Sequence, residues 1–154
     1  MSTPSLADSG FTAPAAAPGR LLRVLVVDGH SVNQQLWSHM LRRLGYKPLA
    51  VGDGEEALAA IDQMPFDVVL MDLDLPTADG AEVARRIRAE RPQAERPWII
   101  AAANTANPDD YDRAMAAGMN DFVIKSGHFE NLTRAMRLAE RALRAPNARD
   151  QHAA

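Results

Sequence analysis

Residues 67–90 read DVVLMDLDLPTADGAEVARRIRAE, and three local patterns follow one another within them. Asp67–Met71 is a short apolar run of the kind that forms a strand buried on both faces. Asp72-Leu73-Asp74-Leu75-Pro76 breaks that run with two acids and a proline, as a loop does. Asp79 and Glu82 then stand three residues apart, the spacing of a capping box, ahead of a helix running to about Glu90. Strand, loop and helix make one βα unit.

The same unit recurs in both directions. Toward the N-terminus, Leu21–Val27 (LLRVLVV) reads as a buried strand. Ser31–Leu44 follows with apolar residues at helical spacing (Val32, Leu36, Trp37, Met40, Leu41, Leu44), and Gly45 stands where a helix stops. Pro48–Val51 is a weaker strand, and Asp53 with Glu56 opens the helix Gly54–Met64. Toward the C-terminus come the strand Trp98–Ala102, a helix opened by Asn107-Pro108 and ending near Gly118, the strand Asp121–Ile124 and the helix Phe129–Arg144. Five strands alternating with five helices predict an α/β fold: a parallel sheet with helices on both faces. In such sheets ligands gather outside the carboxyl ends of the strands.

Composition narrows the function classes. A chain of 154 residues fits one domain, and 47% apolar with 24% charged residues suffices for one packed core. A net charge of −3 gives no reason to expect nucleic acid or an anionic membrane as partner. The absence of cysteine excludes disulfides, thiolate catalysis and cysteine zinc sites. No apolar run approaches the ~20 residues of a membrane span. Residues 1–20, interrupted by Pro4, Pro14 and Pro18, lack the basic and apolar segments of a secretory signal and are expected to be a disordered leader. Residues 145–154 are expected to be a similar tail, leaving 21–144 as the domain, nothing for an output domain, and a cytoplasmic location.

Three residues stand at strand ends. Asp28 follows the first strand, Asp72 the third and Lys125 the fifth. Singly, each is an ordinary turn or surface residue. Together, at the carboxyl edge of one parallel sheet, two carboxylates and an ammonium make a seat for a divalent cation and a phosphoryl group.

The residues carrying that edge resemble a known family. Val26-Val27-Asp28 with Ser31-Val32-Asn33-Gln34, Val69-Leu70-Met71-Asp72 with Pro76 and Asp79-Gly80, and Ala116-Ala117-Gly118-Met119-Asn120-Asp121-Phe122 with Lys125 are together similar to response-regulator receiver domains. The Val32-Asn33-Gln34 run is similar to receivers fused to hybrid histidine kinases. The resemblance spans nearly all of Leu22–Leu143. It implies a flavodoxin-like doubly wound sheet of order 2-1-3-4-5. It implies Asp72 as phosphoryl acceptor, Lys125 as the phosphate contact, and Mg2+ held by Asp28, Asp72 and the backbone carbonyl of Asp74. It also implies a hydroxyl residue ending the fourth strand that shifts on activation, followed by an aromatic residue, here Phe122.

The chain departs from that pattern. The second acid of the usual pair is replaced by Gly29, the hydroxyl residue by Ala102, and the proline after the lysine by Ser126. Losing a hydrogen bond to a charged group costs about 1.5–3 kcal/mol, roughly one to two orders of magnitude in stabilising a phosphorylated form. The Asp74 carboxylate is expected to replace part of the lost acid; His30 is also near, but imidazole suits Mg2+ poorly. Three functions stay open. One is a phosphorelay receiver with an impaired metal and switch site, served by a histidine kinase or phosphotransfer protein. Another is a pseudo-receiver that binds partners without phosphorylation. The third is a phosphatase of the haloacid-dehalogenase type, which Asp72-Leu73-Asp74-Leu75 resembles although Pro76 departs from that motif. The expected partner is another signalling protein or a second copy, met through the helices Asp109–Ala117 and Phe129–Arg144 or through Ser31–Leu44. The arginines 134, 137, 141 and 144 of the last helix interleave with Glu130 and Glu140, as on a solvated face rather than a DNA-reading one.

Overall fold

The computed structural model describes residues 21–91, 96–126 and 129–144; the expected leader (1–20) and tail (145–154) lie outside them. The elements are β1 (Arg23–Val27), α1 (Ser31–Arg43), β2 (Lys47–Val51), α2 (Gly54–Gln63), β3 (Val68–Asp72), α3 (Gly80–Glu90), β4 (Trp98–Ala103), α4 (Pro108–Ala116), β5 (Asp121–Ile124) and α5 (Phe129–Arg144). The strands form one parallel sheet in the order β2-β1-β3-β4-β5. The winding reverses between β1 and β3, which opens a crevice at their carboxyl ends.

The sheet is buried on both sides, which is why its strands read as apolar runs rather than alternating ones. Leu25, Val27, Val69, Met71, Ala101 and Ala103 pack on one side with Leu58 and Ile61 of α2, Val83 and Ile87 of α3 and Ala114 of α4. Val24, Val26, Val68, Leu70, Ile100 and Ala102 pack on the other with Trp37 and Leu41 of α1 and Leu132 and Met136 of α5.

Local signals account for most boundaries. Asp53 accepts the Glu56 N–H at 2.9 Å, while the Glu56 carboxylate accepts from Gly52 at 2.7 Å. Asp79 caps α3 through the Ala81 N–H, and Asn107 caps α4 through the Asp109 N–H ahead of Pro108. After α1 the chain turns at Gly45 with φ +96°, a conformation that costs glycine little. Four strands differ from expectation: β1 starts at Arg23 rather than Leu21, and β2 at Lys47 rather than Pro48. β3 starts at Val68, although the Asp67 N–H still donates to the Arg23 carbonyl and the Asp67 carbonyl accepts the Trp98 N–H, both at 2.9 Å. It runs on through Asp72, and β4 runs one residue further than expected, to Ala103. No helix among the described residues is long and apolar enough to cross a membrane.

Candidate functional site

The register puts Val27 of β1 beside Met71 of β3, so Asp28 and Asp72 emerge side by side at the carboxyl edge. Both are about 1% exposed. Lys125, one residue past β5, donates its backbone N–H to the Ala103 carbonyl at 2.7 Å. Its Nζ lies 2.8 Å from Asp72 Oδ1 and 3.7 Å from Asp28 Oδ2. The three expected residues therefore meet. Asp28 Oδ1 accepts the backbone N–H of His30 at 2.9 Å and the Asn33 amide at 3.3 Å, and Gln34 donates to the Asp28 carbonyl at 2.7 Å. Asp72 Oδ1 also accepts the Asp74 N–H at 2.9 Å.

Each carboxylate keeps one buried oxygen without a hydrogen-bond partner, Asp28 Oδ2 and Asp72 Oδ2. One buried lysine serves two buried acids, so the pocket carries excess negative charge that a divalent cation would offset. Ligand atoms of Asp28, His30 and Asp72 lie within 4.8 Å of one another. The residues present thus fit a divalent cation.

Burial pushes the Asp72 carboxyl above its ordinary range. Lys125 and the Asp74 N–H oppose that shift, and the Asp28 charge reinforces it. Since folding raises this pKa, keeping Asp72 ionised costs stability above the folded value, and the cost vanishes below the unfolded one. Asp72→Asn is therefore expected to stabilise the chain at neutral pH, with Lys125 left to pair with Asp28. The gain should shrink as pH falls through the carboxylate range, which urea denaturation at several pH values checks.

A family model for the response regulator receiver domain matches residues 24–137. The chain belongs to the response regulator receiver family. Curated relatives of this receiver include the virulence sensor protein BvgS of Bordetella bronchiseptica, 41% identical over 145 residues, which cover 87% of the chain and 12% of BvgS. Another is hybrid signal transduction histidine kinase L of Dictyostelium discoideum, 37% identical over 114 residues, covering 70% of the chain and 7% of that kinase. The receiver thus spans about an eighth or less of these relatives. Among solved structures, the receiver domain of a sensor histidine kinase from Pseudomonas aeruginosa, with a magnesium ion in its active-site cleft, is 34% identical at a TM-score of 0.70. That match covers 77% of this chain and 97% of the other. Chemotaxis protein CheY4 of Vibrio cholerae is 27% identical at a TM-score of 0.72, covering 78% of this chain and 99% of CheY4. These bear out the doubly wound fold and the resemblance to hybrid-kinase receivers. The haloacid-dehalogenase reading finds its motif at the end of the third strand, where that family has it on the first.

The departures gain physical content in the structure. A Cβ added to Gly29 would lie 2.5 Å from Pro76 Cγ and 2.7 Å from Pro76 Cδ. The proline of the loop after β3 fills the space that a second acid would need. In β4 the expected hydroxyl position, Ala102, lies directly beside Asp72. It packs on the α1–α5 side of the sheet. Phe122 pairs with Ala101 and packs on the opposite side, the side that Ala103 shares. Side chains alternate along a strand, so the position on the Phe122 side at the end of β4 is Ala103. It too lacks a hydroxyl. Phe122 instead meets Tyr111 of α4 edge-on, with ring centroids 5.7 Å apart.

Asp74 lines the mouth of the cleft, about 460 Å³, with Gly29, His30, Asn33, Asn104 and Lys125. It is exposed and outside the Asp28–His30–Asp72 group. Sequence reading assigned no role to Asn33 and Gln34, which hold Asp28 in place. Their signal was present: both fall in the first turns of a helix that starts next to an acid.

Proposed function

We propose that this receiver accepts a phosphoryl group at Asp72, delivered by a histidine kinase or phosphotransfer protein in a cytoplasmic relay, and signals through protein contacts. The observation that carries the reading is the Lys125 ammonium against Asp72, 2.8 Å away in a buried pocket with a second carboxylate. An Asp72 oxygen attacks phosphorus as the bond from phosphorus to the donor nitrogen breaks, giving an acyl phosphate. Lys125 is in place to pair with the transferred group, and the Asp74 N–H orients the acceptor. A divalent cation held by Asp28 and Asp72 would supply further positive charge against the phosphoryl oxygens. Ala103 and Ala102 offer no hydroxyl to pull β4 toward a phosphate. Since a switch needs contacts that differ between its states, the coupling to Phe122 is weak in this reading. Protein contacts find support in α5, where Phe129 and Leu138 are exposed beside Arg134, Arg137 and Arg141 along a groove of about 690 Å³.

The filled space at Gly29 and the alanines ending β4 favour a second reading, a binding module that works without phosphorylation. Incubation with Mg2+ and acetyl phosphate, followed by intact mass, separates the two. The first reading expects a gain of one phosphoryl group that Asp72→Asn abolishes. No gain, with a known receiver labelled in parallel, leaves the second.

A further inference from the structure

We infer that His30 takes the place of the missing second acid and makes the cation site a mixed nitrogen–oxygen site, which selects a first-row transition ion over Mg2+. The inference rests on reading the Asp28–Asp72 pocket as a cation seat.

Four observations converge on it. Position 29 supplies no ligand, and Pro76 fills the space beside it, so an acid cannot enter there without moving the acceptor loop. Asp74 is exposed and falls outside the group of possible ligands. Asp28 Oδ2 and Asp72 Oδ2 are buried and lack hydrogen-bond partners. The third donor that the structure brings to these two carboxylates is a ring nitrogen of His30, whose Nδ1 lies 3.6 Å from the other Asp28 oxygen, Oδ1.

Helix capping does not explain the placement of His30. It is the N-cap of α1, a position that favours Ser, Thr, Asp or Asn because their side chains accept a backbone N–H. The His30 side chain makes no such bond. Its own backbone N–H is donated to Asp28, which fixes the residue beside the pocket while three quarters of the side chain stays exposed. Ligands about 2.1 Å from one ion can lie up to about 4.2 Å apart, so a small turn of the exposed ring brings the 4.8 Å group within range.

Donor chemistry then sets the preference. Mg2+ is a hard ion that takes oxygen ligands and keeps its waters, and Mn2+ shares that preference, whereas imidazole suits Co2+ and the later divalent ions. A site of two carboxylates and one imidazole gains more from Co2+ than from Mg2+, in keeping with the order of stability of first-row complexes. A second acid at position 29 would have favoured the hard ion.

Calorimetric titration of the full chain with MgCl2, MnCl2 and CoCl2 tests this, with Co2+ visible absorption as a report on nitrogen ligation. In the wild type, Co2+ is expected to bind roughly tenfold or more tightly than Mg2+. In His30→Ala the ratio of Co2+ to Mg2+ affinity is expected to fall by about tenfold, and the Co2+ bands to move. His30→Asn, which restores a helix cap, should behave like His30→Ala, separating loss of a ligand from loss of fold. An unchanged ratio and spectrum in both variants overturns the inference, because binding then lies at other groups. The acceptor reading fails separately. Failure to label Asp72 with any of the three ions, alongside a His30-dependent ion preference, supports the inference and sinks only phosphoryl transfer.

Discussion

Lys125→Met is expected to destabilise the receiver by about 3 kcal/mol at neutral pH, because it leaves two buried carboxylates with no cation between them. The Lys125 side chain is 12% exposed, and the carboxylates it serves are 2% and 0% exposed, so water does little to replace it. Breaking a buried ion pair by removing one partner typically costs about 3–5 kcal/mol, and the lower end applies where a proton can be taken up instead. The deficit should therefore narrow as pH falls through the carboxylate range. Asp72→Asn in the Lys125→Met background should recover much of the loss, since Asp28 alone keeps hydrogen bonds from His30 and Asn33. Denaturant melts of the single and double variants form a mutant cycle. A Lys125→Met chain within about 1 kcal/mol of wild type would show that the pocket is not held by this charge balance.

The same balance separates what the sequence disclosed from what it hid. Asp28, Asp72 and Lys125 were legible because a buried parallel strand is an unbroken apolar run, and the first charged residue after it falls at the carboxyl edge. The helices were legible through Asp53 with Glu56 and through Asn107-Pro108, while Asp79 caps its helix through Ala81 and not through the Glu82 that its spacing suggested. The end of β4 was not. Trp98-Ile99-Ile100-Ala101-Ala102-Ala103 carries three alanines in a row, so no change of residue marks the last pair or the face to which each points. Only the pairing sets it, with Ala102 beside Asp72 and Ala103 on the Phe122 side of the sheet. The contact of Pro76 with the space beside Gly29 was equally hidden, because it joins distant parts of the chain through a loop without periodicity. Asp74 was singled out for its charge and its place in the motif, yet its backbone N–H makes the contact with Asp72.

Gly80→Ala is expected to cost about 3 kcal/mol and to remove most labelling of Asp72, although alanine is the better helix former. Gly80 opens α3 directly beneath the acceptor strand and donates its N–H to the Leu73 carbonyl at 2.9 Å. A Cβ there would press on the Asp72 carbonyl oxygen and approach Leu73 Cα at 2.9 Å and Asp72 C at 3.0 Å. These neighbours are backbone atoms, so no rotamer change relieves the overlap. Either α3 lifts off or the end of β3 moves. If β3 moves, it carries the Asp72 carboxylate away from Lys125, where about 1 Å of misplacement can cost a hundredfold in rate. The helix-propensity gain of about 1 kcal/mol from replacing glycine is too small to offset this. Gly52→Ala is the matched control. Its Cβ would meet Glu56 Oε1 at 3.5 Å and Gln34 Nε2 at 3.7 Å, which are ordinary contacts. The control should melt within about 0.5 kcal/mol of wild type and label normally. Labelling measured at a temperature where both variants remain folded separates a displaced acceptor from an unfolded chain. If Gly80→Ala matches the control in both stability and labelling, the end of β3 is not set by its contact with α3.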